Sequence, residues 1–421
     1  MLKKLNMLDT YAGLSRSVYI LFVARAVTAF GSFVLPFLSL YLTIKLGYSK
    51  EVAGLYVTLT SISSIPGSLI GGKLSDRYSK KKVLMLSQAL SGFSVLAVVF
   101  TEVAILKIFL IVLSSVFVAA SYPAIDVLVA EFTSNEQRKS AYSLMYLGLN
   151  LGFSVGPSVA GFLFYKHTNF IFGIEAFTML LSIILISYMV EEPSKPRHHC
   201  DVHELVNKND ENGSTLKILY KTPIVFAFAF ISTFYTFSYS QFSFSLPLHL
   251  DYLFSDRGSY YFGLLMTVNG LSVLIFTPSI TKFTNKFSPI LNMVMAGVLY
   301  GIGFGMYYIT VNFELCMIAT VIWTIGEILY STNFTVYVVS KSPPDFRGRF
   351  ISVAIIVSRL GFFVGPVIMG GFMHSFGTRQ IWPAIFIVMI VSTLAMSFLY
   401  KLEDKSRNSM VEDQAGIFYD C

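Results

Sequence analysis

The stretch "GGKLSDRYSKKKV", Gly71 to Val83, gathers six charged side chains in a chain that is 54% hydrophobic and only 13% charged. The apolar runs on either side of it are each close to the roughly 20 residues that a helix needs to cross a membrane. A weaker copy, "TKFTNKFSPILN", follows from Thr281 to Asn292. A charged loop between apolar segments, with a later copy, indicates a membrane protein built from a repeat.

Similar apolar runs recur along all 421 residues, whereas an ordinary soluble domain carries about 25% charged residues. The pattern predicts an all-α membrane protein with twelve transmembrane helices and no large soluble domain. We number the predicted spans 1 to 12 in chain order; they cover residues 17–44, 52–72, 83–101, 106–131, 139–165, 170–190, 223–250, 259–281, 289–311, 314–340, 348–374 and 381–400.

The loop charges predict the orientation of these spans. Most Lys and Arg residues fall in the N-terminus, the even-numbered connections and the C-terminal end. By the positive-inside rule both termini are cytoplasmic, in a multi-pass protein of the cell membrane. The net charge of +7 then faces anionic lipids of the bilayer and needs no nucleic-acid partner. We call the opposite end of the spans, at the odd-numbered connections, the outer end.

The two halves of the chain are related. A shift of 209 residues places Gly54 on Gly263, and it places "GFSVGPSVAGF" from Gly152 on "GFFVGPVIMGG" from Gly361. The first spans match with a slightly different offset. An internal repeat of six spans indicates a transporter whose substrate site lies between the halves near the bilayer midplane.

This repeat divides the chain into four parts. The stretch between the halves mixes both charges with Pro193, Pro196 and Gly213, which is typical of a linker. The predicted parts are an N-terminal six-helix bundle (1–190), a cytoplasmic linker (191–222), a C-terminal six-helix bundle (223–401) and a cytoplasmic tail (402–421).

The charged stretch resembles the signature between spans 2 and 3 of the major facilitator superfamily, although Ser79 stands at a usual glycine. Span 5, "SLMYLGLNLGFSVGPSVAG", resembles the motif of that family's twelve-span drug:proton antiporters, with Ser143 in place of its first glycine. The resemblance implies two pseudo-symmetric six-helix bundles that work by alternating access. It also implies a cytoplasmic gate in which Asp76 faces the start of span 11 near Gly348 and Lys80 bridges to Glu131. The gate residues are Gly72, Asp76, Arg77, Lys80 and Glu131.

Glycines spaced four apart in span 5 share one helix face, on which another helix can pack closely. Packing is the favoured interpretation. The alternative is that Pro157 frees a backbone carbonyl and lets the helix bend during transport. The predicted bending positions in the two halves are Gly152, Gly156, Pro157, Gly161, Gly365 and Pro366.

Two pairs of ionisable residues lie inside spans, where each costs about 2.5 to 3.5 kcal/mol at a helix centre. Glu327 and Arg359 lie about halfway along spans 10 and 11, and they form either a structural ion pair or a carboxylate that exchanges protons for a cationic substrate. Arg25 in span 1 and Asp126 in span 4 are predicted to pair beside the central cavity, unless Arg25 extends to the interface. We assign Glu327, Arg359, Asp126 and Arg25 to proton coupling or substrate binding.

Other polar or aromatic side chains within spans could line a cavity for an amphipathic ligand, although packing between helices is the favoured interpretation of each. These candidates are Gln241, Asn269, Asn333, Tyr235 and Tyr239. Glu175, His249 and Asp251 lie near the interface and are expected to be solvated. "HHCDVH", His198 to His203, is expected to be a solvated loop, not a metal site.

The chain contains no zinc-protease helix, nucleophile elbow or Walker loop, so we expect no enzyme, cofactor or metal. The predicted function is secondary transport by alternating access, with proton-coupled efflux of amphipathic or cationic small molecules. Uptake or facilitated transport of a nutrient, such as a sugar or organic anion, is an alternative, and a non-transporting membrane sensor with the same fold is another. The expected partners are the substrate, protons and the lipid bilayer, and we expect a monomer.

Overall fold

The structure is a computed structural model that describes residues 11–134, 136–192, 223–343 and 346–419, with side chains up to residue 404. Within these residues every regular element is a helix and no strand occurs, which confirms the all-α prediction. Cys200, Cys421 and the histidine-rich stretch at 198–203 lie outside the described residues.

The helices follow the predicted spans closely. Among the described residues, ten helical stretches are long and apolar enough to cross a membrane, and one of them, Pro223–Thr284, contains both span 7 and span 8. Span 5 falls outside this set, although its 26 residues suffice to cross the bilayer. Spans 2 to 6 and 8 to 12 are the helices Lys50–Arg77, Lys80–Ala97, Ala104–Glu131, Arg138–Leu163, Thr168–Met189, Gly258–Thr284, Pro289–Met306, Phe313–Lys341, Arg347–Phe376 and Ile381–Tyr419. The last helix continues through most of the predicted tail.

Spans 1 and 7 are each broken near the middle. Span 1 consists of Arg16–Phe30 and Val34–Leu40, followed by a π-helical turn at Tyr41–Lys45. Span 7 consists of Pro223–Tyr239 and Ser245–Phe254. The breaks fall at "SF" pairs, Ser32 and Ser243, which correspond in the repeat. The two halves therefore share a broken first helix.

The turn in the charged stretch shows why Ser79 replaces glycine. Ser79 has φ −57° and ψ 121°, and its hydroxyl accepts a hydrogen bond from the backbone N–H of Lys82 at 3.4 Å. Serine is a favoured residue at this capping position. Ser288, 209 residues later, caps span 9 in the same way through Leu291. The repeat therefore conserves a serine-capped helix start after each of these loops.

The described residues pack into two compact units. The first contains the described residues of Met1–Asp201, Phe242–Leu274 and Pro366–Thr378; the second contains those of Val202–Gln241, Ile275–Gly365 and Arg379–Cys421. Parts of spans 7, 8 and 11 thus pack with the first half of the sequence. The boundaries of the two six-helix bundles remain predictions.

Candidate functional site

The charged stretch is anchored to two neighbouring spans. Lys80 Nζ lies 3.4 Å from Glu131 Oε1 at the end of span 4, as the family resemblance implies. Lys81 Nζ donates to the carbonyls of Ser187 and Val190 at 2.9 and 2.7 Å, which satisfies acceptors at the end of span 6. Asp76 and Arg77 are exposed. The stretch therefore holds the neighbouring ends of spans 4 and 6 and leaves Asp76 accessible.

The antiporter motif forms matched helix contacts on both sides of the repeat. A Cβ on Gly263 would clash with the carbonyl oxygen of Pro157, and a Cβ on Gly54 would clash with the carbonyl oxygen of Pro366. In the same way, Gly161 packs on the backbone of Ser259 and Gly370 on that of Lys50. A shift of 209 residues relates the Pro157–Gly263 contact to the Pro366–Gly54 contact, and it relates the Gly161–Ser259 contact to the Gly370–Lys50 contact. Spans 5 and 8, and spans 2 and 11, therefore approach each other without side chains between their backbones.

The other motif glycines face the broken helices. A Cβ on Gly152 would lie 2.5 Å from the carbonyl oxygen of Ala26, and Gly156 packs on Phe30, both on span 1. In the second half, Gly365 packs on Ser240 of span 7. The glycines at these positions therefore permit close helix packing, which was the favoured interpretation, while bending at Pro157 and Pro366 remains a prediction.

A polar network at the outer end corrects the expectation for two residues. Asp251 accepts a hydrogen bond from the Tyr165 hydroxyl, which also donates to the carbonyl of Ser255 at 2.9 Å. His249 is fully buried. Asp251 and His249 were expected to be solvated because they end an apolar span. They are instead packed between spans, since span 7 continues to Phe254.

Glu327 is the centre of an intramembrane site in the second unit. Its Oε1 accepts a hydrogen bond from the Tyr239 hydroxyl at 2.7 Å, and its carboxylate interacts electrostatically with Tyr300. Glu327 and Tyr239 are both half-buried. The carboxylate is thus held in a fixed orientation while it stays accessible to a ligand.

Aromatic rings surround this carboxylate. The Tyr239 ring stacks with Tyr300 at a centroid distance of 6.0 Å, meets the edge of Trp323 at 6.1 Å and contacts Phe362 at 6.4 Å. Trp323 and Tyr300 are buried behind the half-buried Tyr239 and Phe362. We call Glu327, Tyr239, Tyr300, Trp323 and Phe362 the Glu327 cluster. A negative charge among ring faces is a favourable environment for an organic cation.

Arg359 lies on span 11, in the second unit. Arg359 is exposed and interacts electrostatically with the Tyr330 hydroxyl. The structure therefore favours neither of the two predicted roles of a Glu327–Arg359 pair.

Arg25 borders a cavity in the first unit. Arg25 interacts electrostatically with Asp126, and its guanidinium lies 5.0 Å from the centroid of the Tyr122 ring. The cavity has a volume of about 70 Å³ and is formed by spans 1, 3, 4, 5 and 6. Arg25, Gln88 and Tyr122 are among its polar lining residues. We call it the Arg25 cavity.

Three of the five cavity-lining candidates are buried in contacts with their neighbours. Gln241 donates to the carbonyl of Phe237 at 2.9 Å, Asn333 accepts from Asn292 at 2.9 Å, and Tyr235 donates to the carbonyl of Met293 at 3.1 Å. Asn269 is half-buried on span 8. Tyr239 belongs to the Glu327 cluster.

The expectation that Glu175 is solvated was also wrong. Its residue surface is 5% exposed, and its Oε2 accepts hydrogen bonds from the backbone N–H groups of Phe33 and Val34 at 3.0 and 2.8 Å. These amides begin the second helix of span 1. The "SF" pair signalled a feature of span 1, but nothing local to Glu175 indicated which segment it would contact.

Comparison with known proteins agrees with this architecture. The sequence pattern described as Major Facilitator Superfamily matches residues 21–366 and 312–416. The chain is 22% identical over 365 residues to a Na(+), Li(+), K(+)/H(+) antiporter of Planococcus maritimus, covering 79% of this chain and 84% of that protein. It is 24% identical over 331 residues to multidrug resistance protein 1 of Bacillus subtilis, covering 77% and 82%. The solved structure of the nucleoside transporter NupG, 13% identical, superposes with a TM-score of 0.74 over 92% of this chain and 98% of that one.

The family pattern spans nearly the whole chain, and the long apolar helices fit a membrane protein of this family. The chain therefore belongs to the major facilitator superfamily, as a multi-pass membrane protein and secondary transporter of that type.

Proposed function

We propose that this transporter exports amphipathic organic cations in exchange for protons. The observation that carries the proposal is the half-buried Glu327 carboxylate, held by the Tyr239 hydroxyl and enclosed by aromatic rings. Both termini lie in the cytoplasm under this proposal, in agreement with the positive-inside rule. The similarity to an antiporter and to a multidrug resistance protein supports exchange and a broad substrate range.

The chemistry depends on competition for one carboxylate. The ionised Glu327 attracts a cation, and the faces of Tyr239 and Phe362 add a cation–π attraction of about 0.5 to 2 kcal/mol. A proton bound to the same carboxylate removes its charge and releases the cation. Each exchange at this site then replaces one monovalent cation by one proton.

Tyr239 orients the carboxylate for both ligands. Its hydroxyl donates to Oε1 and so fixes the orientation of the carboxylate that binds the substrate or a proton. The same ring stacks with Tyr300 and contacts Phe362. Tyr239 therefore connects the charge of the site to its apolar walls, and Tyr239→Phe tests the hydroxyl without removal of the ring.

The proposal is tested by binding of tetraphenylphosphonium to the purified protein, measured by calorimetry in buffers of different ionisation enthalpy. Near the protonation midpoint of Glu327, the wild type should release a fraction of a proton on binding. Glu327→Gln should bind at least tenfold more weakly, because a charge pair 4 Å apart contributes about 4 kcal/mol at an effective dielectric of 20. The Glu327→Gln variant should release no proton on binding. Glu314→Gln, an exposed glutamate at the start of the same helix, is the matched control. Equal affinity of Glu327→Gln and wild type would refute the proposal.

A second candidate substrate is an organic anion, because the Arg25 cavity presents a guanidinium beside the Tyr122 ring. An aromatic carboxylate such as benzoate should then bind, and Arg25→Gln should remove that binding. Asp126 near Arg25 opposes an anion, which is why the Glu327 cluster has priority. Titration with sodium or potassium ions in the same calorimetric assay shows whether the Glu327 cluster binds inorganic cations.

A further inference from the structure

Glu175 is a buried carboxylate that the Glu327 mechanism does not use. It lies on span 6, and one oxygen, Oε2, accepts two hydrogen bonds from the amides of Phe33 and Val34. Both amides belong to the break in span 1. The N–H of Phe33 also donates to the carbonyl of Gly31 at 2.8 Å, so the N–H of Val34 is the one that depends on Glu175, because the first N–H groups of a helix have no acceptor within that helix.

The surroundings leave the Glu175 charge to these two amides. Titratable side chains near the outer end, on the elements packed against span 6 or in the connections that join them, are Arg25, Tyr41, Lys45, Glu102, Tyr165 and His167. None of them hydrogen-bonds or forms an ion pair with Glu175 in the described structure, and Oε1 accepts no hydrogen bond there. Removal from water disfavours the anion and the two N–H donors favour it. Oε1 can therefore take a proton without first losing a protein partner.

Glu175 also adjoins the Arg25 cavity. Ser32, directly before the two donor amides, lines this cavity, and so does Met179, one helical turn after Glu175. Arg25 lines it from the other part of span 1. A change in the strength of the hydrogen bonds from Phe33 and Val34 to Glu175 therefore affects residues that line the cavity.

The second half of the chain has no equivalent carboxylate. Span 7 has the corresponding break, but Ala384 stands 209 residues after Glu175. A residue needed only to close a broken first helix would be expected in both halves. Its presence in one half indicates a task that the halves do not share.

We propose that Glu175 is a second proton-binding residue of the transport cycle and that it positions span 1. Its anion holds the amides of the break firmly, and its protonated form holds them more weakly. Proton binding then frees the part of span 1 that carries Arg25 to move against span 6. This inference rests on the proposed proton coupling for its place in the cycle.

The first test is infrared difference spectroscopy of the purified full-length protein between alkaline and acidic buffer. A carboxylic C=O band should appear on acidification and be absent from the Glu175→Gln spectrum. Glu102→Gln should keep it, because the Glu102 side chain is 97% exposed. An identical set of bands in wild type and Glu175→Gln would overturn the proposal.

The second test is hydrogen exchange of a peptide that contains the amides of Phe33 and Val34. Charge-assisted hydrogen bonds are roughly twice as strong as neutral ones, so acidification should speed exchange at the break about tenfold after correction for intrinsic chemistry. Glu175→Gln, whose amide oxygen still accepts both bonds, should exchange at a rate independent of pH. If that variant does not fold, the wild type decides alone, since corrected exchange that is equal at both pH values overturns the proposal.

Glu327→Gln separates the two proposals. It should keep the Glu175 band and the pH-dependent exchange at span 1. If it also transports cations at the wild-type rate, the proposed function fails while the inference about Glu175 stands.

Discussion

Gly370 and Gly371 are adjacent in span 11 but differ in what surrounds them, and this difference predicts opposite effects of alanine. A Cβ on Gly370 would lie 2.5 Å from the backbone oxygen of Lys50 and 3.3 Å from Cα of Gly54, whereas a Cβ on Gly371 meets nothing within 4 Å. Ordinary contact begins near 3.4 Å, so Gly370→Ala must move span 2 away by about 0.9 Å. Overpacking of this kind costs about 1 to 3 kcal/mol. Gly371→Ala should instead gain about 0.5 to 1 kcal/mol, because alanine is the better helix former.

The assay uses the buried thiol of Cys316. In a background of Cys200→Ser and Cys421→Ser, a fluorogenic maleimide reacts only as the protein unfolds on heating. Gly370→Ala should melt below the parent and Gly371→Ala at or above it. Gly161→Ala changes the equivalent position in the repeat and should also melt below the parent. A Gly370→Ala variant at least as stable as Gly371→Ala would refute the close helix contact.

Three further changes test separate parts of the structure. Asp76→Asn removes a charge from the gate implied by the family resemblance, so the cytoplasmic side should be open more often. Cysteines that face the cytoplasmic side should then be labelled faster, and unchanged labelling contradicts that gate. Asn333→Leu should lower stability by about 1 to 3 kcal/mol in chemical unfolding, because it removes the acceptor of Asn292. Substrate KM should stay at the wild-type value, and a changed KM would place Asn333 in the cavity. Arg25→Asp combined with Asp126→Arg should recover folded protein that each single change loses, as measured by gel filtration, and no recovery argues against their interaction.

Helix positions were predictable because hydrophobicity and loop charge act locally. The charged stretch was predicted to be a loop between two spans, and in the structure Ser79 in this loop caps the helix that follows it. The contact between Lys80 and Glu131 followed from the family resemblance and is present at 3.4 Å. These features depend on residues close in sequence or on a motif that recurs as a unit.

The direction of polar side chains inside spans was not predictable. Gln241 and Asn333 are as polar as a cavity-lining residue, but they bond to their own helix or to a neighbouring one. Glu175 is buried because span 1 breaks 142 residues earlier and exposes two amides. Whether a polar group meets water, a ligand or a backbone amide depends on which helix packs against it, and the sequence around it does not specify that.

The paired contacts of Gly54 with Pro366 and of Gly263 with Pro157 have a meaning for the origin of the chain. If each half is regarded as one subunit, position 54 of the first touches the proline of the second, and the reverse contact is also present. This reciprocity defines an isologous interface of a twofold dimer. A six-span ancestor that paired with its own copy would have needed one glycine and one proline to make both contacts. Fusion of two such copies would have let them diverge, and Glu175 and Glu327 each occur in one half only.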